Sequence, residues 1–177
     1  LALLGRNPEN LDAALTEFGA AAVGIAADAC DPESAPALIE KAVKAFGRLD
    51  ALYHVAGGSA RSEGDGPLHE LTDEGWQRAL DHNLTSLVYS NRMAVRRFRE
   101  QGGGGVILNM GSVLGFSPSP AHFATHGYAA TKAAAIGFTK SIASYYAKDG
   151  IRANVVAPAL VETPMSERAA ANEKIMS

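Results

Sequence analysis

Tyr128 and Lys132 stand four residues apart in "HGYAATK" (126–132), at the head of an alanine-rich stretch. One helical turn puts them on the same face. A phenol beside an ammonium is either an ordinary surface pair or an acid–base device. Free tyrosine ionises near pH ~10 and is a poor proton carrier at neutrality. A nearby cation stabilises the phenolate and lowers that value, and Lys132 is spaced to do so. Ser112, in "NMGSVLG", follows an apolar run. Its hydroxyl either holds a substrate carbonyl oxygen beside the tyrosine or caps a turn. Asn83, in "DHNLTS", sits inside a helical pattern that asparagine disfavours. It bends the helix, binds a water or stands exposed.

The elements that must position these groups alternate along the chain. Strands are expected at 1–5, 21–28, 49–57, 105–111 and 151–158, each a short apolar run. Between them, Asn7-Pro8 opens a helix through Phe18, and Asp31-Pro32 supplies an N-cap and first-turn proline for a helix to Phe46, stopped by Gly47. Helical signals run from Thr72 to Gln101 with a break near His82. A loop holding Pro118 and Pro120 precedes a helix from Thr125 to Lys148. Alternation without hairpin turns predicts right-handed βαβ units, hence an α/β, doubly wound parallel sheet. The near-continuous apolar strands predict a sheet covered on both faces. Ligands of such sheets bind beyond the carboxyl ends of the strands, here Gly5-Arg6, Asp28, Ala56-Gly57, Ser112 and Pro158.

At 177 residues the chain reads as one domain with room for a core, and its 47% hydrophobic and 20% charged content is that of a globular protein. A net charge of −3 argues against nucleic acid or an anionic membrane as partner; Arg92, Arg96, Arg97 and Arg99 read as a solvated helix face. Cys30 is the only cysteine, so no intramolecular disulfide forms. No apolar run approaches the ~18 residues that span a bilayer, and no signal-peptide pattern appears, so a cytoplasmic protein is expected. His69, His82, His122 and His126 show no coherent metal-ligand spacing, and no Gly-x-Ser-x-Gly elbow marks a hydrolase.

Taken in order, the motifs resemble those of the short-chain dehydrogenase/reductase family, classical type. "YAATK" is similar to its Tyr-x-x-x-Lys motif, with Ser112 and Asn83 at its serine and asparagine. "HVAG" stands for its Asn-Asn-Ala-Gly element, "AADACDPES" for its adenine-side aspartate, and "DGIRANVVAPALVET" for its Pro-Gly region. The resemblance runs from Leu1 to about Met165 and implies a Rossmann-like fold, with an adenine-side half at 1–57 and a catalytic half at 72–165. It implies NAD(P)-dependent reduction of a carbonyl or oxidation of a secondary alcohol. Tyr128 would be acid or base, Lys132 would lower its pKa and bond the nicotinamide ribose, Ser112 would orient the carbonyl, and Asn83 would hold a relay water. For the cofactor it implies Asp28 and Ala29 at the adenine, Ala56 and Gly57 at its ribose, and Pro158, Val161 and Thr163 at the nicotinamide carboxamide. Arg6, after Gly5, stands where a 2′-hydroxyl reader would be acidic and can pair a 2′-phosphate, which favours NADP over NAD. The small residues of 129–144 suit either burial on the sheet or the family's helix-mediated homodimer or homotetramer.

The chain also departs from the family. His54-Val55 replaces the asparagine pair, His54 reading as a structural substitute; Ala159 replaces a glycine; the Ser112–Tyr128 interval is about three residues longer than the family's usual one. The family's first strand with its glycine-rich pyrophosphate turn, and its last strand, are missing, and the four glycines at 102–105 cannot replace that turn. The expectation is therefore a fragment of a longer reductase, its first and second strand runs left without a bridge to the catalytic half. The alternative is a non-catalytic relative acting only through its helix interface.

Overall fold

The computed structural model describes residues 1–119, 122–161 and 163. Residues 120, 121, 162, 164 and 165 of the expected catalytic half lie outside them. The order is β1 (Ala2–Gly5), α1 (Pro8–Phe18), β2 (Val23–Ala26), α2 (Ser34–Phe46), β3 (Ala51–His54), α3 (Asp73–Leu80), α4 (Ser86–Gln101), β4 (Gly105–Met110), α5 (His126–Tyr146) and β5 (Ile151–Val156). Every strand pair is parallel, as expected of a Rossmann-like α/β fold, but the strands form two sheets. One is β1-β2, the other β3-β4-β5, and among the described residues no strand bridges β1 and β3.

Local chemistry explains most boundaries. Asn7 caps α1, its side chain accepting the Asn10 amide, and Pro8 opens the first turn. Gly47 ends α2 in the left-handed conformation, φ 85°. Helix α2 begins later than Asp31-Pro32 predicts: the Asp31 carboxylate accepts the Glu33 amide and its carbonyl the Ser34 amide, so those residues make a turn before Ser34. The strands are shorter than their apolar runs; β3 stops at His54, and Val55 to Gly57 leave the sheet.

The core lies on one face of the larger sheet. Ala94, Val95 and Phe98 of α4 pack with Ile107 of β4, Ile142 of α5, and Ile151 and Ala153 of β5. Ile39 of α2 joins this cluster, while Lys41 of the same helix bonds the Gly24 carbonyl of β2 at 2.7 Å. Helix α2 is thus the link between the two sheets. Asn109 of β4 is fully buried, exchanging amide bonds with Asn91 of α4 at 2.9 Å and donating to Thr139 of α5. This buried network fixes how α4 and α5 sit over β4. The other face departs from expectation: Tyr53 of β3 is 54% exposed, and Arg152 and Asn154 of β5 face out. The strands are apolar enough for two covered faces, but among the described residues only one is covered.

Candidate active site

The break expected near His82 is one π-helical turn, Asp81–Thr85, between α3 and α4. It turns Asn83 inward, 1% exposed. Its amide donates to the Gly58 carbonyl at 2.9 Å and to Ala79, and accepts the Gly58 amide at 3.1 Å. Asn83 therefore spends two of these hydrogen bonds on the loop after β3 and one on α3. Gly57 lies close by, at φ 157°, where a Cβ would meet Asn83 Oδ1 at 2.7 Å and Lys132 Nζ at 3.6 Å. The backbone of the loop, the asparagine and the lysine converge there.

Ser112 leaves β4 in an extended conformation, is buried, and accepts the Leu114 amide through Oγ. The turn-capping reading holds, and the same hydroxyl stands beside Tyr128. Burial pushes the Tyr128 phenol up from its ordinary value, and its hydrogen bond with Ser112 pulls it down. Lys132 is 3% exposed, so the surface-pair reading of Tyr128 and Lys132 falls. Its Nζ donates to the Met110 carbonyl at 2.9 Å and lies 5.4 Å from the Tyr128 ring centroid. Burial pushes the ammonium down to about 8. The expected lowering of the phenol by Lys132 is not present: desolvation dominates, and the lysine points to a main-chain oxygen.

On the other side of the loop, Gly5, Arg6, Asp28, Ala29, Ala56 and Gly57 line one cavity of about 210 Å³. The structure thus brings together six residues expected from separate strand ends. Asp28 is held below the usual carboxylate range chiefly by the Cys30 amide, which donates to it at 2.9 Å. Leu4, Cys30 and His82 also line the cavity, and sequence reasoning missed them. Their only signal was adjacency, to Gly5, Asp28 and Asn83. Cys30 is a poor nucleophile, since burial pushes its thiol up to about 11. Pro158, Val161 and Thr163 lie apart from this cavity, beyond β5; the Pro158 carbonyl accepts the Val113 amide at 3.0 Å, beside Ser112. Thr163 bonds the Val161 carbonyl.

His54 fills the place of the asparagine pair as a brace. It is 5% exposed, with Nδ1 2.8 Å from the Ser90 hydroxyl and Nε2 3.5 Å from that of Ser86, both on α4. Burial, then Lys132, pushes it down to about 4, so the ring is neutral.

Known proteins resemble this chain in sequence and fold. Residues 1–174 match the family described as short chain dehydrogenase. The chain is 34% identical over 149 residues to 3beta-hydroxysteroid dehydrogenase 2 of Eggerthella lenta, covering 84% of this chain and 55% of that one. It is 36% identical over 152 residues to cis-4-hydroxycyclohexanecarboxylate dehydrogenase of Sinomonas cyclohexanicum, covering 86% and 58%. Among solved structures, ElxO with NADP bound superposes at a TM-score of 0.82 with 29% identity, over 94% of this chain and 66% of that one. The chain spans a little over half the length of these curated relatives. With its ordered motifs, its parallel strands and the match over residues 1–174, the chain belongs to the short-chain dehydrogenase family.

Proposed function

We propose that this chain carries the catalytic centre of a nicotinamide-dependent oxidoreductase that interconverts a secondary alcohol and a carbonyl, with Tyr128 as the proton carrier. The observation that carries this is the convergence of Tyr128, Ser112 and Lys132, all buried or nearly so, at the carboxyl end of β4. The bound nicotinamide supplies or accepts the hydride. Gly5, Arg6, Asp28, Ala29, Ala56 and Gly57 fit its adenosine end, since they already enclose one cavity that carries a cation for phosphate and a carboxylate for polar recognition. Arg6 favours NADP over NAD. Pro158, Val161 and Thr163 hold the carboxamide end next to Ser112.

In reduction, the Tyr128 hydroxyl and the Ser112 hydroxyl both donate to the carbonyl oxygen, and Tyr128 passes its proton to the nascent alkoxide. A phenol pushed up by burial stays protonated at neutrality, which suits it as an acid. Oxidation needs the phenolate and should rise with pH as Tyr128 ionises. Asn83 fixes the loop against which Tyr128 and Lys132 lie. Relatives whose names specify hydroxyls on rings, a steroid and a cyclohexane, favour a small cyclic alcohol or ketone as substrate.

Outside the site, a groove of about 800 Å³ runs between α4 and α5, its lining divided between apolar residues such as Val88, Phe138 and Ile142 and the arginines Arg92, Arg96 and Arg99. It supports a homodimer or homotetramer formed through these helices. Among the described residues no helix is long and apolar enough to cross a membrane, which is in keeping with a cytoplasmic protein.

Tyr128→Phe should abolish turnover, on the order of 10²-fold or more, while NADPH binding, followed by reduced-cofactor fluorescence, persists. Retained turnover would sink the role of Tyr128. A second reading is a non-catalytic relative working through its helices, for which the groove between α4 and α5 speaks. It predicts no saturable change of NADPH or NADH fluorescence.

A further inference from the structure

We propose that Asp65 is a positioning residue for Tyr128, holding the start of α5 from the loop that Asn83 anchors at its other end. The proposal rests on the reading of Tyr128 as the proton carrier. Asp65 is 2% exposed. Its two carboxylate oxygens divide between consecutive amides: Oδ1 accepts Gly127 N–H and Oδ2 accepts Tyr128 N–H, both at 2.8 Å. Sixty-two residues separate Asp65 from Gly127 in sequence. Among the described residues no lysine, arginine or histidine pairs with this carboxylate. A buried anion without a cation is costly, and the offset here is the pair of charge-assisted bonds at the positive end of a 21-residue helix.

The local cap is not used. Thr125, at the N-cap position of α5, makes no side-chain cap bond; its hydroxyl bonds the Phe123 carbonyl instead. The first turn of α5, and with it the backbone of Tyr128, is therefore set by a distant loop. That loop is itself pinned. A Cβ at Gly75 of α3 would meet the Gly64 carbonyl carbon at 2.3 Å and the Asp65 amide nitrogen at 2.5 Å. The Asp65 amide bonds the Ala60 carbonyl, and the Gly66 carbonyl accepts the His126 amide. A Cβ at Gly127 would crowd Asp65 Oδ1 and Ala79 Cβ, both at 3.1 Å. At the far end of the same loop, Gly58 is paired to Asn83 through two hydrogen bonds. Residues 58–65 thus form a brace between the elements that carry Asn83 and Tyr128.

The test asks whether the phenol feels the loss of Asp65. In Asp65→Asn the shape is kept, but one side-chain N–H₂ must face a backbone N–H, so the grip on Gly127 and Tyr128 is broken. The readout is ¹³C NMR of the intact chain labelled at tyrosine Cζ, with the Tyr128 signal identified by its loss in Tyr128→Phe. If Asp65 aligns the phenol with Ser112, Asp65→Asn raises the Tyr128 titration midpoint, as Ser112→Ala does, and the double variant adds nothing further. Removing a nearby negative charge without moving the phenol would lower the midpoint instead, so a fall overturns the proposal. A lower melting temperature with an unmoved midpoint also overturns it, since that is stability alone. If Asp65→Asn does not fold, Asp65→Glu, which keeps both oxygens one methylene further out, is read in the same way: a raised midpoint supports the proposal and an unmoved one defeats it. Where turnover is measurable, kcat should fall roughly 10- to 100-fold, as for an ångström-scale misplacement, with KM little changed. Failure of the functional reading would show as retained turnover in Tyr128→Phe and would leave the NMR result standing by itself.

Discussion

The two sheets of this molecule are built from the same kind of unit and are held very differently. In the first, every residue of β1 is only half-buried, and buried apolar positions of its helices come down to Leu11, Ile39 and Ala42. In the second, β4 and β5 share six register pairs, and a core of Ala94, Phe98, Ile107, Ile142 and Ile151 packs on one face. The half that does the proposed chemistry is the half with the core. The lesson is that parallel strands owe their stability to the elements covering them, and β1-β2 borrows its cover from α1 and from α2, a helix that also serves the other sheet.

The sharpest way to break the contrast is Phe98→Ala. The ring is 1% exposed and lies where a Cβ on Gly105 would collide with it at 2.5 Å, so nothing else fills its place. Unfolding by urea should show a loss of about 3–5 kcal/mol. A loss under about 1 kcal/mol would mean that the catalytic half is not the stable one.

Between pH ~7 and ~4 acid should act through the second half, because residues 1–53 contain no histidine and the depressed Asp28 carboxyl responds only at lower pH. His54 is pushed down to about 4 when folded, against ~6.5 in the unfolded chain. Between those values the unfolded chain binds the proton first, so stability is full above pH ~6.5 and declines as pH falls to about 4. The total is about 3 kcal/mol. Melting temperature measured across pH 4–7 should show this decline, and His54→Asn should flatten it. An unchanged slope in that variant would assign the acid sensitivity elsewhere.

A smaller loss is expected on the other side. Leu11→Ala, at the contact of α1 with Gly24 of β2, should cost about 2 kcal/mol, at the low end for such a change because the site is at the edge of burial. Amide exchange followed by mass spectrometry should speed up in residues 1–46 and not in β4 or β5. Uniform acceleration would show the two sheets to be one cooperative unit. Smallest of all, Asn7→Ala removes the α1 cap and should cost about 1 kcal/mol, again confined to the first half.

Much of this was readable beforehand, for reasons that particular residues make plain. Asn7, Pro8, Thr72 and Gly47 act on neighbours within four positions, so their roles as caps and stops follow from local sequence. The break near His82 was legible because asparagine is a poor helix interior residue, although that it is a π-helical turn was not. The start of α2 was misplaced because Asp31 chose the Glu33 amide over a helix cap, a competition between two short-range bonds of similar strength. Asp65 left no trace at all, since nothing within its own loop distinguishes "EGDGP" from any polar turn.

By itself the sequence determined the alternation of strands and helices and the parallel pairing that alternation demands, which follow from spacing and order that chain connectivity transmits directly. The grouping of Tyr128, Lys132, Ser112 and Asn83 was implied by the family resemblance. Only the tertiary structure decided that Asn83 spends its amide on Gly58, that Lys132 turns to the Met110 carbonyl, and that burial rather than the lysine sets the acidity of the phenol. It also decided that an aspartate 63 residues away in sequence holds the Tyr128 amide. Desolvation and long-range hydrogen bonds depend on what surrounds a group in space, and spacing along the chain carries no measure of that.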